Sequence, residues 1–177
     1  MSGKRMEYRQ RHDPSKSLVG FFVGSVHYAI PIGRVKEIAN PLEMVALPHA
    51  PHAVVGVADY RGQVVPVIDL RMRFGMEAGV PTRRTKWLVI EVGPRIVALV
   101  VDAVSEVFGT GGADLRPAPS LGGGDDTRGI AGVANHDGSL VFVLDTARLR
   151  DLTEPLAAAG QIGTSDRARS LLPGAPT

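Results

Sequence analysis

The chain has 177 residues, of which 44% are hydrophobic and 21% are charged, and it contains no cysteine. This composition is typical of a globular protein and excludes a wholly disordered chain, a disulfide framework and thiolate chemistry. The net charge is +2, but residues 1–17 alone hold five basic and two acidic side chains. The segment 18–152 therefore has no basic excess, which argues against nucleic-acid binding by the folded part.

Both ends of the chain differ from the middle in composition. Residues 1–17 are charged and lack apolar periodicity, so they predict a disordered basic tail and no secretory signal. Residues 153–177 combine an alanine run with several glycines and prolines, which predicts a flexible or partly helical C-terminal tail. Since no apolar run approaches the roughly 20 residues of a membrane helix, we expect a cytoplasmic protein without direct membrane insertion.

Between the tails, short β-branched runs alternate with turn residues and predict ten strands. The strands fall near 18–24, 27–32, 34–39, 54–59, 63–68, 86–92, 95–101, 103–108, 129–134 and 139–144. Asp137-Gly138 predicts a tight hairpin between the last two strands. Asp69 and Asp145 each follow a strand and predict the N-cap of a short helix. The predicted class is mainly β with short helices.

An internal repeat divides the predicted strands into two groups. Residues 56–70 align with 132–146 at seven of 15 positions, and residues 21–38 align with 90–107 at five of 18. Shared valines explain part of this similarity, but not the glycines and acids that match at common spacing. We therefore expect two related subdomains, roughly 18–80 and 86–150, each closed as a small barrel of about five strands. Terminal strands can exchange between them.

Residues that could carry catalysis or bind a metal do not form a recognisable set. His49 and His52 are three residues apart, but neighbouring prolines oppose a helix and no third ligand lies nearby. His27 and His136 have no acidic or nucleophilic companion in the sequence. The motif Gly-x-Ser-x-Gly is absent, and no P-loop lysine follows the glycines at 122–124. The sequence predicts no catalytic residue, no metal site and no cofactor.

Polar residues inside apolar strands are better candidates for a functional surface. In strand 34–39, strict alternation places Val35 and Glu37 on one face and Ile38 on the other. An acid beside a valine fits a partly apolar binding surface, whereas a solvated edge strand with an exposed valine is the alternative. Arg61 lies at the turn between two runs that both read as buried.

Several short motifs occur in a characteristic order over residues 18–152. They are Val35-x-Glu37-Ile38, Pro48-x-x-Pro51, Tyr60-Arg61-Gly62, the run VPVIDLR at 65–71, Val100-Val101-Asp102-x-Val104, and Ile130-x-Gly132-Val133. As an ordered set, these motifs resemble the chemotaxis coupling family of CheW-like domains. The resemblance implies two five-stranded SH3-like β-barrel subdomains around a shared hydrophobic core, in agreement with the repeat.

The resemblance also implies a function. Members of this family act as non-enzymatic signalling adaptors, which couple the cytoplasmic tip of a methyl-accepting chemoreceptor to the regulatory domain of a CheA-type histidine kinase. The kinase domain has the same fold as the adaptor, and the two alternate in rings that link receptors into arrays. A protein of this kind is cytoplasmic and is recruited to membrane-associated receptor arrays.

Individual site residues follow from the resemblance where the motifs match. The implied receptor-binding residues are Val35, Glu37, Gly56, Arg61, Val104 and Val107. Arg61 is expected to pair with Glu37, and Gly62 and Gly132 to occupy structural turns, with no room for a side chain at Gly132. The kinase-binding candidates are Ile30 and Ile32. Tyr60 departs from the family, which usually has leucine at this position.

Two other functions remain as alternatives. One is a stand-alone or competing domain related to the regulatory domain of the kinase, because the two domain types share motifs. The other is an SH3-like barrel that binds RNA through the basic residues 1–17. An adaptor is favoured because nothing resembles an ATP-binding or dimerisation domain and because the chain is expected to begin and end close to the fold.

Overall fold

The computed structural model describes residues 16–109, 115–118 and 129–158. Most of the predicted basic tail and the C-terminal tail beyond residue 158 lie outside these described residues. The strands are β1 (Ser17–Val23), β2 (Val26–Pro31), β3 (Val35–Ala39), β4 (Met44–Val45), β5 (Val54–Tyr60), β6 (Gln63–Asp69), β7 (Lys86–Val92), β8 (Arg95–Val101), β9 (Ala103–Gly109), β10 (Ile130–His136) and β11 (Ser139–Leu144).

The strands form two sheets. The first has the order β10-β11-β2-β1-β9, and the second has the order β3-β7-β8-β6-β5-β4. Neighbours are antiparallel except for β11 with β2 and β6 with β8, which are parallel. The predicted mainly β class is confirmed, and the ten predicted strands match within one or two residues. The second sheet has six strands instead of five because the two-residue strand β4 was not predicted.

Each sheet curls until its end strands meet. In the first sheet, β9 and β10 stand at opposite ends of the order, yet the ring centroids of Phe108 and His136 are 4.0 Å apart. In the second sheet, Glu37 of β3 reaches Tyr60 at the end of β5. Curling of this kind turns an open sheet into a small barrel.

The apolar side chains form one large shared core and a smaller core inside each barrel. The shared core contains Val19 and Phe21 from the first sheet together with Leu88, Ile90 and Leu99 from the second. The interior of the second barrel is filled by residues that include Tyr60, Val65, Val67, Trp87 and Val89. The interior of the first barrel contains Leu18, Ala29, Phe108, Ala134, Val141 and Val143. This arrangement confirms two barrels around a common core.

The hydrogen-bonded sheets do not follow the two halves of the chain. The first sheet pairs β1 with β9, for example Val19 with Val107, and pairs β2 with β11, for example Tyr28 with Phe142. It therefore takes strands from both of the predicted subdomains, 18–80 and 86–150, whose bounds stay a prediction. At the passage from β8 to β9, the carboxylate of Asp102 accepts hydrogen bonds from the backbone of Gly24 and from Arg71 Nε.

The repeat predicted from the sequence is visible as two equivalent hairpin turns. Arg61 and Gly62 have φ of 52° and 80°, and Asp137 and Gly138 have φ of 48° and 79°. Positive φ at both central residues defines a type I′ turn, which matches the twist of the strands that it joins. The predicted hairpin at Asp137-Gly138 is thus confirmed, and the turn at Arg61-Gly62 has the same form.

Helices are short and flank the sheets. They are the 3-10 helix Ile32–Arg34, the α-helix α1 (Leu70–Arg73), the 3-10 helix Thr146–Leu149 and the α-helix α2 (Arg150–Ala158). As predicted, Asp69 and Asp145 cap the starts of two of them, because their carboxylates accept hydrogen bonds from backbone amides. Among the described residues, every helix is too short or too polar to cross a bilayer.

Candidate interaction site

Three side chains meet where the second barrel closes, and we call them the Glu37 triad. The carboxylate oxygen Oε2 of Glu37 accepts a hydrogen bond of 2.6 Å from the hydroxyl of Tyr60 and one of 2.8 Å from Nη2 of Arg61. The guanidinium carbon of Arg61 lies 5.3 Å from the centroid of the Tyr60 ring. The expected pairing of Glu37 with Arg61 is present, and Tyr60 joins both of them.

Backbone geometry explains why these residues meet. β4 covers β5 only as far as Ala58, so Tyr60 lies at an uncovered end of β5. β3, the other end strand, hydrogen-bonds to β7 and presents Glu37 to this gap. Arg61 occupies the left-handed region in the type I′ turn after β5, and from there its side chain reaches Glu37. The triad therefore closes the barrel by joining the end strand β3 to the uncovered end of β5.

A bulge at Lys36 corrects one expectation about this strand. Val35 pairs with Ile90 and Glu37 pairs with Val89. The two partners are consecutive in β7, so Lys36 is an extra residue in β3. Because Ile90 and Val89 point to opposite faces, Val35 and Glu37 also do, and the prediction that they share a face is wrong. Val35 packs against the shared core, whereas Glu37 joins Tyr60 at the core of the second barrel.

The electrostatics of the site hold the Glu37 carboxylate in place. Its hydrogen bond raises the pKa of Tyr60 above the ordinary value, because removing the phenolic proton would break the bond, and burial adds to the effect. Beside the triad, Lys36 Nζ lies 2.6 Å from Glu91 Oε1. The hydrogen bond and charge of Lys36 lower the pKa of Glu91. Arg61 and the pair of Lys36 and Glu91 border an open depression of about 520 Å³ that Val35 and Tyr60 also line.

The other implied receptor-binding residues are distributed over both barrels. Val104 and Val107 lie on β9, where Val104 packs against the same shared core as Val35 and Val107 is 53% exposed. Gly56 is buried beneath β4, and a Cβ on it would stand 2.5 Å from the carbonyl oxygen of Val45. Gly132 does not occupy the predicted turn, because it lies inside strand β10 at a register shift. It does lack room for a side chain, since a Cβ there would stand 2.6 Å from the carbonyl oxygen of Arg116.

The structure places one of the two predicted kinase contacts, Ile30, inside the core and the other, Ile32, against it, and their role in kinase binding stays a prediction. Ile30 is 0% exposed and belongs to the shared core, because β2 lies between β1 and β11 and this side chain faces the second sheet. Ile32 follows in the short 3-10 helix and is partly buried against the same core. Ile30 is therefore unavailable to a partner unless the fold opens, whereas Ile32 keeps part of its surface exposed.

Four exposed apolar side chains that the sequence did not reveal lie close together in the chain, along the connection from β3 to β4. We call them the β3–β4 apolar surface: Ile38, Leu42, Met44 and Val45. Val45 is the most exposed of them, at 68%. Exposed apolar side chains that are adjacent to one another mark interaction sites more often than isolated ones do.

These features define a class of protein. Two barrels on a shared core form a rigid β scaffold, and its surface presents a positioned ion pair close to exposed apolar side chains. Residues 17–154 match the family model described as the CheW-like domain. The chain therefore belongs to the CheW-like domain family, whose members are scaffold proteins of chemotaxis signalling.

Individual relatives agree with this assignment. The chain is 33% identical over 130 residues to the chemotaxis protein CheW of Rhizobium meliloti, covering 73% of this chain and 84% of the relative. It is 32% identical to the chemotaxis protein CheW of Helicobacter pylori, covering 71% and 76% of the two chains. Among solved structures, the scaffolding protein TtCheW of Thermoanaerobacter tengcongensis matches with a TM-score of 0.68 and 27% identity, covering 73% of this chain and 88% of that chain.

Proposed function

We propose that this protein is a non-enzymatic adaptor that couples the cytoplasmic tip of a methyl-accepting chemoreceptor to the regulatory domain of a CheA-type histidine kinase. Membership of the CheW-like family supports the general class. The coupling role needs two surfaces on one rigid body, one for each partner. Binding both partners at once raises their effective concentration, so a small scaffold can make signalling cooperative.

The Glu37 triad is the observation that carries the receptor half of the proposal. Arg61 has a side chain that is 74% exposed, yet its partner carboxylate is fixed by two hydrogen bonds. A fixed charge of this kind contributes orientation and specificity more than affinity. Val35 beside the triad and Val107 on β9 supply apolar contact area. Gly56 supports the site indirectly, because its lack of a side chain lets β4 lie against β5.

The β3–β4 apolar surface is a further candidate for the kinase contact, in addition to the partly exposed Ile32 and in place of the buried Ile30. Protein interfaces commonly have an apolar centre surrounded by polar residues. Here Met44 and Val45 are exposed on the short end strand β4, with the exposed Glu43 directly before them in the chain. Since Ile38 immediately follows Glu37, the two candidate surfaces are connected through β3.

The proposal is tested by kinase autophosphorylation with a receptor signalling fragment, with and without this protein. We expect stimulation only when receptor, kinase and this protein are all present. Glu37→Lys repels Arg61 and removes the acceptor of Tyr60, so we expect about tenfold weaker receptor binding, or roughly 1.4 kcal/mol. Glu77→Lys makes the same charge change at an exposed position outside the site and is the matched control.

Thermal unfolding of both variants distinguishes a binding defect from a folding defect. A Glu37→Lys variant that unfolds cooperatively and no longer binds receptor supports the proposal. Stimulation that persists in Glu37→Lys, or that never requires this protein, contradicts it.

A further inference from the structure

A second group of three side chains closes the first barrel, and we call it the Glu106 cluster. His136 Nε2 lies 2.8 Å from Glu106 Oε1 and 3.6 Å from Asp137 Oδ2. One nitrogen or oxygen of each of the three residues lies within 4.8 Å of those of the other two. Glu106 is on β9, and His136 and Asp137 are at the end of β10, so the cluster joins the two end strands of this sheet.

The Glu106 cluster is the repeat equivalent of the Glu37 triad. The two sequence alignments of the repeat pair Glu37 with Glu106, Tyr60 with His136, and Arg61 with Asp137. In the structure, Glu37 follows the bulge in β3, and Glu106 lies within the register shift at the matching point of β9. Both hairpins have the same type I′ turn. The Glu37 triad and the Glu106 cluster therefore occupy equivalent positions in the two barrels and differ in their side chains.

The Glu37 triad and the Glu106 cluster differ in the charge of one residue. In the Glu37 triad, the fixed cation of Arg61 balances the carboxylate. In the Glu106 cluster, the equivalent residue is Asp137, so two carboxylates flank one imidazole. Within the part of the chain that the structure describes, no lysine or arginine nitrogen lies within 4.0 Å of either carboxylate. The cluster carries a charge of −2 with a neutral imidazole, and it lacks the cation that its counterpart has.

We propose that Glu106, His136 and Asp137 form a binding site for a divalent transition metal of the Zn²⁺ type. An imidazole nitrogen and carboxylate oxygens are ligands that Zn²⁺ prefers, at about 2.0–2.2 Å from the ion. In a tetrahedral site such ligands stand roughly 3.3–3.5 Å from one another. The 2.8 Å and 3.6 Å separations lie on either side of this value, so only small side-chain movements are needed.

The rigidity of the cluster also suits a metal. The His136 ring stacks on Phe108, with centroids 4.0 Å apart and planes inclined by 14°, and its side chain is only 19% exposed. The carboxylates of Glu106 and Asp137 are 62% and 87% exposed, so they can rotate towards an ion and leave a position for water. A bound ion would brace β9 against the β10–β11 hairpin.

The test is calorimetric titration of the full-length, tag-free chain with Zn²⁺ alone. We expect one saturable Zn²⁺ per chain and no binding of Mg²⁺ at the same concentrations, because Mg²⁺ disfavours imidazole. Asp137→Asn and Glu106→Gln should each weaken Zn²⁺ binding by about tenfold or more. The double variant His49→Ala/His52→Ala removes a histidine pair outside the cluster and should bind as the wild type does.

These variants keep the test independent of folding. Asn tolerates the positive φ of Asp137, and Glu106 is exposed, so both substitutions preserve the turn and the strand. The proposal is overturned if Zn²⁺ uptake is not saturable, if all variants bind equally, or if binding is lost only in the His49/His52 variant. Absence of Zn²⁺ binding would overturn it as well, and would leave the three side chains as a hydrogen-bonded contact that closes the first barrel.

Discussion

At Tyr60, one side chain belongs to two environments. Its ring is part of the apolar core of the second barrel, and its hydroxyl donates to Glu37 at the surface. An exposed ion pair between Glu37 and Arg61 alone would contribute little to stability, since solvent and salt screen it. The buried ring anchors the hydroxyl, and through it the carboxylate, so Tyr60 is the positioning residue of the Glu37 triad.

Tyr60→Phe keeps the ring and removes only this hydrogen bond. We expect the free energy of unfolding to fall by about 1 kcal/mol, measured by urea denaturation at neutral pH. The same substitution in a Glu37→Ala background should cost much less, because the acceptor is already absent. Equal losses in the two backgrounds would show that the hydroxyl acts through something other than Glu37.

The pH dependence of this bond has a definite sign. Because the pKa of Tyr60 is raised in the folded protein, the bond contributes fully below the ordinary tyrosine pKa of about 10. Its contribution is lost as the pH rises through the raised pKa. The stability difference between wild type and Tyr60→Phe should therefore shrink only at strongly alkaline pH.

The sequence anticipated Glu37 and Arg61 through the family resemblance, but it did not anticipate Tyr60. The reason is that Tyr60 and Glu37 are on strands that are not neighbours in the sheet, and they meet only when the barrel closes. The sequence pattern did not reveal the bulge at Lys36 for a related reason. Alternation of side-chain types assumes regular pairing, and an inserted residue shifts the faces without changing the pattern.

Among the elements, two short segments pack closely against β5 and β10, and each does so at a glycine of the strand. β4 lies over Gly56, and the isolated bridge of Arg116 to Val133 lies beside Gly132. Both glycines also stand at a register shift in their strands. The repeat therefore preserves the same close backbone approach in each barrel.

Gly56→Ala and Gly132→Ala should both destabilise the protein. In each case the new methyl group would stand closer than 3 Å to a backbone carbonyl oxygen, so the short segment that packs there must move. Overpacking of this kind costs about 1–3 kcal/mol, which chemical denaturation measures. Gly33→Ala is the matched control, because a Cβ there has nothing within 4 Å. A Gly56→Ala protein as stable as Gly33→Ala would disprove this explanation.

Most elements could be predicted from local pattern, and the exceptions have physical causes. Ten strands and both aspartate caps follow from β-branched runs and turn residues. β4 has only two residues and pairs only with Val57 and Ala58, so it leaves no alternating pattern to detect. The burial of Ile30 depends on the second sheet packing against this face of β2, which is a contact between distant parts of the chain that the local pattern does not encode.

For the whole molecule, the two halves of the sequence are interdependent. Because the first sheet takes β1 and β2 from one half and β9 to β11 from the other, neither half can complete both barrels. We expect fragments 1–82 and 83–177 to lack cooperative unfolding when separate and to form a one-to-one folded complex when mixed. Circular dichroism and size-exclusion chromatography measure this, and a fragment that folds alone would contradict it.

The pairing of β1 with β9 also has a consequence for synthesis on the ribosome. At ~5–20 residues per second, the ribosome makes Val107 roughly five to twenty seconds after Val19, and until then Val19 lacks its partner. During that interval the nascent β1–β2 hairpin is a pair of apolar strands with both edges unpaired. Such edges are where a nascent chain is most prone to aggregate, so protection by a chaperone would matter most for this protein before β9 emerges.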